Sequence, residues 1–226
     1  AIENKLSIQM AARNLRYQWF DNLSKKEGYK KIVTAHHQDD AIETLLIKKS
    51  RKSSIGALQG IPVKNANIIR PFLAFSLKQI QNYILENSIE YREDKSNLSA
   101  KYQRNSIRKL LQNESPEKRV QYLNEIEINK NIYSKLIEKC VRYKTMFCEE
   151  INSGILLPFE YLLEQDEKQE ILYELLKYFG PFSWRDVFSL LESQVGRYVT
   201  NSEFRIIKER RGLFVSKISS NLKEIF

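Results

Sequence analysis

Apolar residues recur at three- and four-residue steps near the start of the chain, at Ile8, Ala11, Ala12, Leu15, Trp19 and Leu23. That spacing predicts an amphipathic helix with a stripe suited to packing on a sheet. A short apolar run, Lys31-Ile32-Val33-Thr34-Ala35, reads as a buried strand, and Asp40 to Ile47 reads as the helix that follows it. Asn67-Ile68-Ile69-Arg70 predicts a second short strand ended by Pro71. Ser76 with Gln79 makes a capping box, opening a helix expected to bury Leu77, Ile80 and Ile84. Ser115-Pro116-Glu117 marks another helix start: a cap, a proline in the first turn and an acid at the positive end. From there to about Asn152 the chain has no proline or glycine. Val120, Leu123, Ile132, Leu136, Cys140, Phe147 and Ile151 form a broken apolar stripe along it, so one long connector helix, or two nearly collinear ones, is expected up to Gly154. Beyond it the pattern predicts helix through Tyr178, with Leu172, Leu175 and Leu176 inward, and a break at Gly180-Pro181. Another helix follows from Trp184 to Gln194, then strands at Phe204–Lys208 and Leu213–Ile218 joined around Arg211-Gly212.

At 226 residues the chain can hold one large or two small domains, each with a real core. The net charge of +9, from 37 basic and 28 acidic residues, favours a polyanionic partner, although basic composition alone does not make a nucleic-acid binder. Cys140 and Cys148, eight apart on an expected helix, suit neither a metal knuckle nor a disulfide framework. No apolar run reaches membrane length and no signal peptide is visible at the first residues, so a cytoplasmic protein without a membrane partner is expected. There is no internal repeat and no low-complexity stretch.

The candidate chemistry is concentrated in Thr34-Ala35-His36-His37-Gln38-Asp39-Asp40-Ala41-Ile42-Glu43-Thr44, which contains both histidines of the chain. It lies where a strand hands over to a helix, the end of an open α/β sheet at which ligands bind. Asp40 and Glu43 are three apart and Asp39 and Glu43 four apart, so the acids share one helix face. Side-by-side carboxylates can bind a metal or an ammonium group. Acids at a helix start also cap its free N–H groups and suit its dipole, so the alternative reading of Asp39 and Asp40 is as caps alone; capping does not account for the paired histidines or Glu43. Elsewhere, Lys48, Lys49, Arg51 and Lys52 crowd positive charge at a helix exit, where they complement the helix dipole or contact phosphates. Arg104 and Arg108, four apart, share a helix face that is either solvated or able to grip phosphates with Asn105 between them.

The acidic segment resembles the second signature of the N-type ATP pyrophosphatase superfamily. Further segments narrow the resemblance to the tRNA(Ile)-lysidine synthetase family: Ala12-Arg13-Asn14-Leu15-Arg16-Tyr17 upstream, then Ile69-Arg70-Pro71, Arg92-Glu93-Asp94-Lys95-Ser96-Asn97 and Tyr102-Gln103-Arg104-Asn105-Ser106-Ile107-Arg108, in the family's order. The likeness is specific over residues 8 to 111 and looser beyond. It implies an α/β fold: the C-terminal part of a parallel-sheet N-type ATP pyrophosphatase domain over residues 1–114, a connector helix over 115–152, and a smaller helical α+β substrate domain over 153–226. Two departures stand out. The family's S-G-G-x-D-S phosphate loop has no counterpart, the seven glycines being scattered, and Lys52 and Ser54 replace two glycines of a family loop. The chain then reads as a fragment lacking the N-terminal phosphate-binding half-domain, inactive by itself and inclined to self-associate into homo-oligomers through an exposed sheet edge.

What the resemblance implies for function is ATP- and Mg²⁺-dependent joining of L-lysine to C2 of the wobble cytidine of a tRNA(Ile) with a CAU anticodon. Asp40 and Glu43 would bind and activate the lysine amine, with His36 close to the nucleotide and base. Arg16 would lie near nucleotide and substrate, and Asp94 and Asn97 would organise the RNA-facing site. Arg104, Asn105 and Arg108 would meet the tRNA backbone and the reactive nucleotide, while Arg197, Arg205, Lys208, Arg210 and Arg211 either meet tRNA or form a solvated hairpin. No metal ligands are assigned. Two rivals remain at this point: a 2-thiocytidine synthetase type of enzyme, which would want cysteines at C-x-x-C spacing, and a non-catalytic tRNA-binding fragment.

Overall fold

The computed structural model describes residues 8–92, 103–151 and 154–218, with backbone alone at residues 8, 9 and 103–105. The chain divides into two compact units, residues 1–130 and 131–226.

In the first unit α1 (Ile8–Glu27) leads to β1 (Ile32–Val33) and then α2 (Gln38–Ser50). A hairpin of β2 (Lys64–Asn65) and β3 (Ile68–Ile69) follows, then α3 (Leu77–Glu86) and α4 (Gln103–Gln112). The strands form a sheet of order β1-β3-β2. β1 and β3 run parallel, Ile32 opposite Ile68 and Val33 opposite Ile69, and Thr34 N–H extends the ladder to the Ile69 carbonyl at 3.0 Å. The strand expected to be buried is open on one face: Val33 is 62% exposed while Ile32 is half-buried. The core of the unit is Ala41 and Leu45 of α2 against Ile126, with Leu58, Leu73, Tyr122 and Leu123 packed around them. Gly60 is required there, because its φ is +70° and a Cβ would come within 3.2 Å of the Ile126 side chain. In the loop where two family glycines are replaced, Lys52 takes a left-handed φ of 51° and Ser54 stays extended.

The Ser76 capping box forms, with Ser76 N–H donating to Gln79 Oε1 at 2.8 Å and Gln79 N–H to Ser76 Oγ at 3.2 Å. The helix it opens buries less than its stripe implies: Ile80 and Ile84 are half-buried and Leu77 is 40% exposed. α1 departs further, with Leu15 66% and Trp19 60% exposed. Strands of two residues offer these stripes little sheet to cover, which is the physical reason for both differences.

α5 (Pro116–Met146) starts at the expected Ser115-Pro116 signal and runs unbroken for 31 residues. It ends well before Asn152, because Glu149–Ile151 (β4) pairs antiparallel with Gly154–Pro158 (β5). Val120 and Ile132, expected on its apolar stripe, are 54% and 49% exposed.

The second unit is built on a five-stranded antiparallel sheet of order β4-β5-β8-β7-β6, where β6 is Tyr198–Thr200, β7 Phe204–Lys208 and β8 Gly212–Lys217. The expected β7–β8 hairpin is therefore the centre of a larger sheet, whose strands β4, β5 and β6 the hydrophobic pattern did not reveal. Gly212 lies where a Cβ would overlap the Leu157 carbonyl oxygen of β5. Three further helices, α6 (Phe159–Leu162), α7 (Lys168–Leu176) and α8 (Trp184–Ser189), join the part of α5 from residue 131 onward in this unit. Its buried residues include Leu156, Leu157, Leu172, Leu176, Val187, Ile206, Leu213 and Val215. Glu174 is buried in an internal cluster, accepting from Tyr133 Oη at 2.9 Å and from Lys177 Nζ at 2.5 Å, so this ion pair serves the fold.

Both cysteines sit in this unit. Burial pushes each thiol up to about 11, with Glu174 adding to the effect on Cys140 and Lys144 opposing it on Cys148. Alkylation by iodoacetamide at pH 8 should thus be slow in the folded chain and rise about tenfold per pH unit towards pH 10, as thiolate forms. Rapid labelling at pH 8 without unfolding would contradict this. Two inert thiols are also poor candidates for sulfur transfer.

Candidate active site

The acidic motif forms at the carboxyl end of β1, beside the equivalent end of the parallel strand β3. Thr34 and Ala35 leave the strand, His37 precedes the first turn of α2, and Asp40 caps the helix by accepting the His37 N–H at 3.1 Å. Asp39, Asp40 and Glu43 are all buried, at 6%, 8% and 2% exposure. Three carboxylates so placed need partners, and each has a cation.

Arg108 of α4 serves two of them. Its Nε donates to Glu43 Oε1 at 2.6 Å, and its Nη2 lies 3.5 Å from Asp40 Oδ1. The acids and the arginine, expected to serve lysine and RNA separately, meet in one cluster. Arg119, from the first turns of α5, serves the third: its Nη1 pairs with Asp39 Oδ1, and its Nη2 donates to the Leu111 carbonyl at 2.5 Å. The other Asp39 oxygen accepts the Leu77 N–H at 2.8 Å. Burial by itself raises the Asp39 carboxyl, but the Leu77 amide and the Arg119 guanidinium together hold it below the ordinary value of 3.8.

The two histidines differ. His36, half-buried, has Nδ1 2.9 Å from Thr34 Oγ1, which holds the ring near the strand end. His37 has Nε2 3.5 Å from Asp40 Oδ2, and its buried Nδ1 has no hydrogen-bond partner among the described residues. Arg16 is exposed on α1, its side chain making no ion pair or hydrogen bond with a described residue, while neighbouring Arg13 stacks over the Tyr17 ring at 4.9 Å. Asp94 and Asn97 lie outside the described residues, as do the side chains of Arg104 and Asn105.

Arg119 escaped the sequence reading, and Arg70 entered it only as part of the Ile69-Arg70-Pro71 segment, with no role assigned. Arg119 had left a trace: two basic residues, Lys118 and Arg119, open α5 at the end of its dipole that repels them, which calls for a nearby acid. Arg70, at the end of β3, is 4% exposed and donates from Nη1 to the Pro62 carbonyl at 2.8 Å. In the second unit, three of the five candidate basic residues already have partners. Arg205 lies over the Tyr198 ring at 4.7 Å, Lys208 Nζ donates to the Leu191 carbonyl at 2.8 Å and Arg211 pairs with Glu149 at 2.5 Å. Arg197 and Arg210 are exposed.

Among the described residues no group of three or more His, Cys, Asp or Glu side chains is arranged to hold a metal ion, and no helix is long and apolar enough to cross a membrane. Chemically, the Asp40–Glu43 part of the cluster is a pair of buried carboxylates that holds the Arg108 guanidinium.

Comparison with known proteins supplies the relationship. Residues 150–218 match the TilS substrate binding domain. The tRNA(Ile)-lysidine synthase of Parabacteroides distasonis is 31% identical over 233 aligned residues, covering 99% of this chain and 52% of that protein. That of Bacteroides thetaiotaomicron is 32% identical over 231, covering 96% and 52%. That of Thermosipho africanus is 44% identical over 108, covering 48% and 25%. The chain thus spans about half the length of the first two relatives. Residues 1–115, just over half of the chain and the part that carries the acidic cluster, match the PP-loop domain, and the chain belongs to that family.

Proposed function

We propose that this chain carries the amine- and RNA-binding part of a tRNA(Ile)-lysidine synthase. The enzyme would join L-lysine to C2 of the wobble cytidine of a tRNA(Ile) with a CAU anticodon. The observation that carries the reading is the buried Asp40–Glu43 pair holding a cation at the strand ends of a PP-loop domain. The relatives aligned over nearly the whole chain support it.

ATP supplies the adenylyl group that turns the C2 oxygen of the base into a leaving group. The ε-amine of lysine attacks C2, the C2–O bond breaks, and AMP departs. For this the base must be unstacked, and the ammonium must be held and must lose a proton before it attacks. Asp40 and Glu43 do both: they bind the ammonium and accept the proton. His36 lies on the nucleotide and base side, with Arg16 assigned to the same region. Arg104, Asn105 and Arg108 are assigned to the tRNA backbone and the reactive nucleotide, and Asp94 and Asn97 to the RNA-facing site. Arg197 and Arg210 add exposed charge in the second unit. The seven scattered glycines form no phosphate cradle and the described carboxylates form no metal cluster, so no step is routed through phosphates or Mg²⁺ by these residues. The inert Cys140 and Cys148 and the absence of a C-x-x-C pair in this chain disfavour tRNA thiolation.

The test is a chimaera in which residues 1–226 replace the matching region of the Parabacteroides distasonis relative. With ATP, lysine and tRNA(Ile) it should form lysidine, detected by mass spectrometry of the digested tRNA. The chain alone should release no pyrophosphate. A folded chimaera that binds tRNA but leaves the wobble cytidine unmodified would overturn the reading.

A further inference from the structure

The cation between Asp40 and Glu43 is the chain's own. Glu43 is 2% exposed, and its Oε1 takes the Arg108 Nε–H at 2.6 Å, while Arg108 Nη2 stands 3.5 Å from Asp40 Oδ1. A substrate ammonium needs those same oxygens. An ammonium that takes Glu43 Oε1 at hydrogen-bond distance displaces the Arg108 Nε–H from it, so the amine and Arg108 compete for that oxygen. Removing a cation from a buried carboxylate is costly, so Arg108 moves off most readily as the amine enters.

We propose that Arg108 holds the place of the substrate amine, and that RNA draws it off, so that the amine site opens only on the RNA-bound protein. This rests on the reading that Asp40 and Glu43 take the amine. Three observations favour the exchange. The Arg108 side chain is 35% exposed whereas Glu43 is at 3%, so the arginine alone has a path to a ligand in solvent. A guanidinium pairs with phosphate in the bidentate geometry it uses for carboxylates, so the move trades one anion for another. Arg104 occupies the position one turn earlier on α4, and the chain carries a net charge of +9, which brings a polyanion to it. The consequence is order: the amine is admitted only where a base is present to receive it. Because binding linkage is reciprocal, lysine must tighten RNA binding by the factor by which RNA tightens lysine binding.

The experiment is calorimetry of L-lysine with the chain, alone and saturated with an anticodon stem-loop RNA bearing CAU. RNA should tighten lysine binding about tenfold, within the usual range of coupling between sites. Arg108→Gln should bind lysine without RNA about as tightly as the unaltered chain does with it, and RNA should add nothing. If Arg108→Gln instead leaves the RNA effect in place, the exchange is wrong. Glu43→Gln tests the underlying reading separately, since lysine binding that survives in it, with RNA present, removes the acids as the amine site. Should Arg108→Gln fail to fold, the unaltered chain still decides. Its Arg108 Nε–H, followed by ¹⁵N NMR, should exchange with water faster once RNA and lysine are added. An unchanged Nε–H at saturation would overturn the proposal.

Discussion

Glu43→Gln, placed in the chimaera, should cut lysine transfer by roughly 10²-fold or more, the loss expected when a positioned acid–base group is removed. Adenylation of the base should suffer less, because the carboxylate acts on the amine. The substitution is also mild for the fold. Glutamine keeps an oxygen able to accept the Arg108 Nε–H, and Arg108 Nη2 still has Asp40 Oδ1 3.5 Å away. Asp40→Asn should act in the same direction, since asparagine still caps α2 through the His37 N–H. Single-turnover transfer from pre-adenylated tRNA separates the two steps. Near-normal transfer in both variants, with circular dichroism unchanged, would show that the acids serve only Arg108.

The parts of this fold and site that could be read from the sequence are those governed by neighbours along the chain. The strand-to-helix handover at Thr34–Asp40, the Ser76–Gln79 box and the Ser115-Pro116 start depend on a few adjacent residues, and each formed. The misses depend on partners far away. β5 earns its place by pairing with β8, Ile155 against Val215, and β4 only by pairing with β5. Cys148-Glu149-Glu150-Ile151 has no alternation strong enough to announce a strand after an unbroken helix. The stripe of α1 was legible as a pattern, yet a stripe does not say how much sheet lies beneath it. The site divides in the same way. That Asp40 and Glu43 share a face follows from helical spacing, but their closure on Arg108 joins positions 65 apart, and α4 presents that arginine to acids as readily as to phosphates. Arg119 lies 80 positions from Asp39, with only its unfavourable place in the α5 dipole as a clue.

Asp39 should prove the structural acid of the cluster, and Asp39→Ala should cost about 2–4 kcal/mol of stability, the scale for removing a buried charged acceptor and stranding its donors. The starts of three helices converge on it. It belongs to the first turn of α2, it accepts the first N–H of α3 from Leu77 at 2.8 Å, and it neutralises Arg119 where that residue opposes the dipole of α5. Through Arg119 it also reaches the Leu111 carbonyl at the end of α4, the helix that carries Arg108. The pH dependence has a definite sign. Because the folded carboxyl titrates below its ordinary value of 3.8, its contribution is complete above that value and is lost as pH falls through the lower, folded value. The stability gap between the unaltered chain and Asp39→Asn, measured by urea unfolding with circular dichroism, should therefore be constant from pH 7 to pH 5 and narrow at pH 3. A gap that persists undiminished at pH 3, or never exceeds about 0.5 kcal/mol, the scale of an ordinary surface substitution, would mean that the three helix starts are held by something other than this carboxylate.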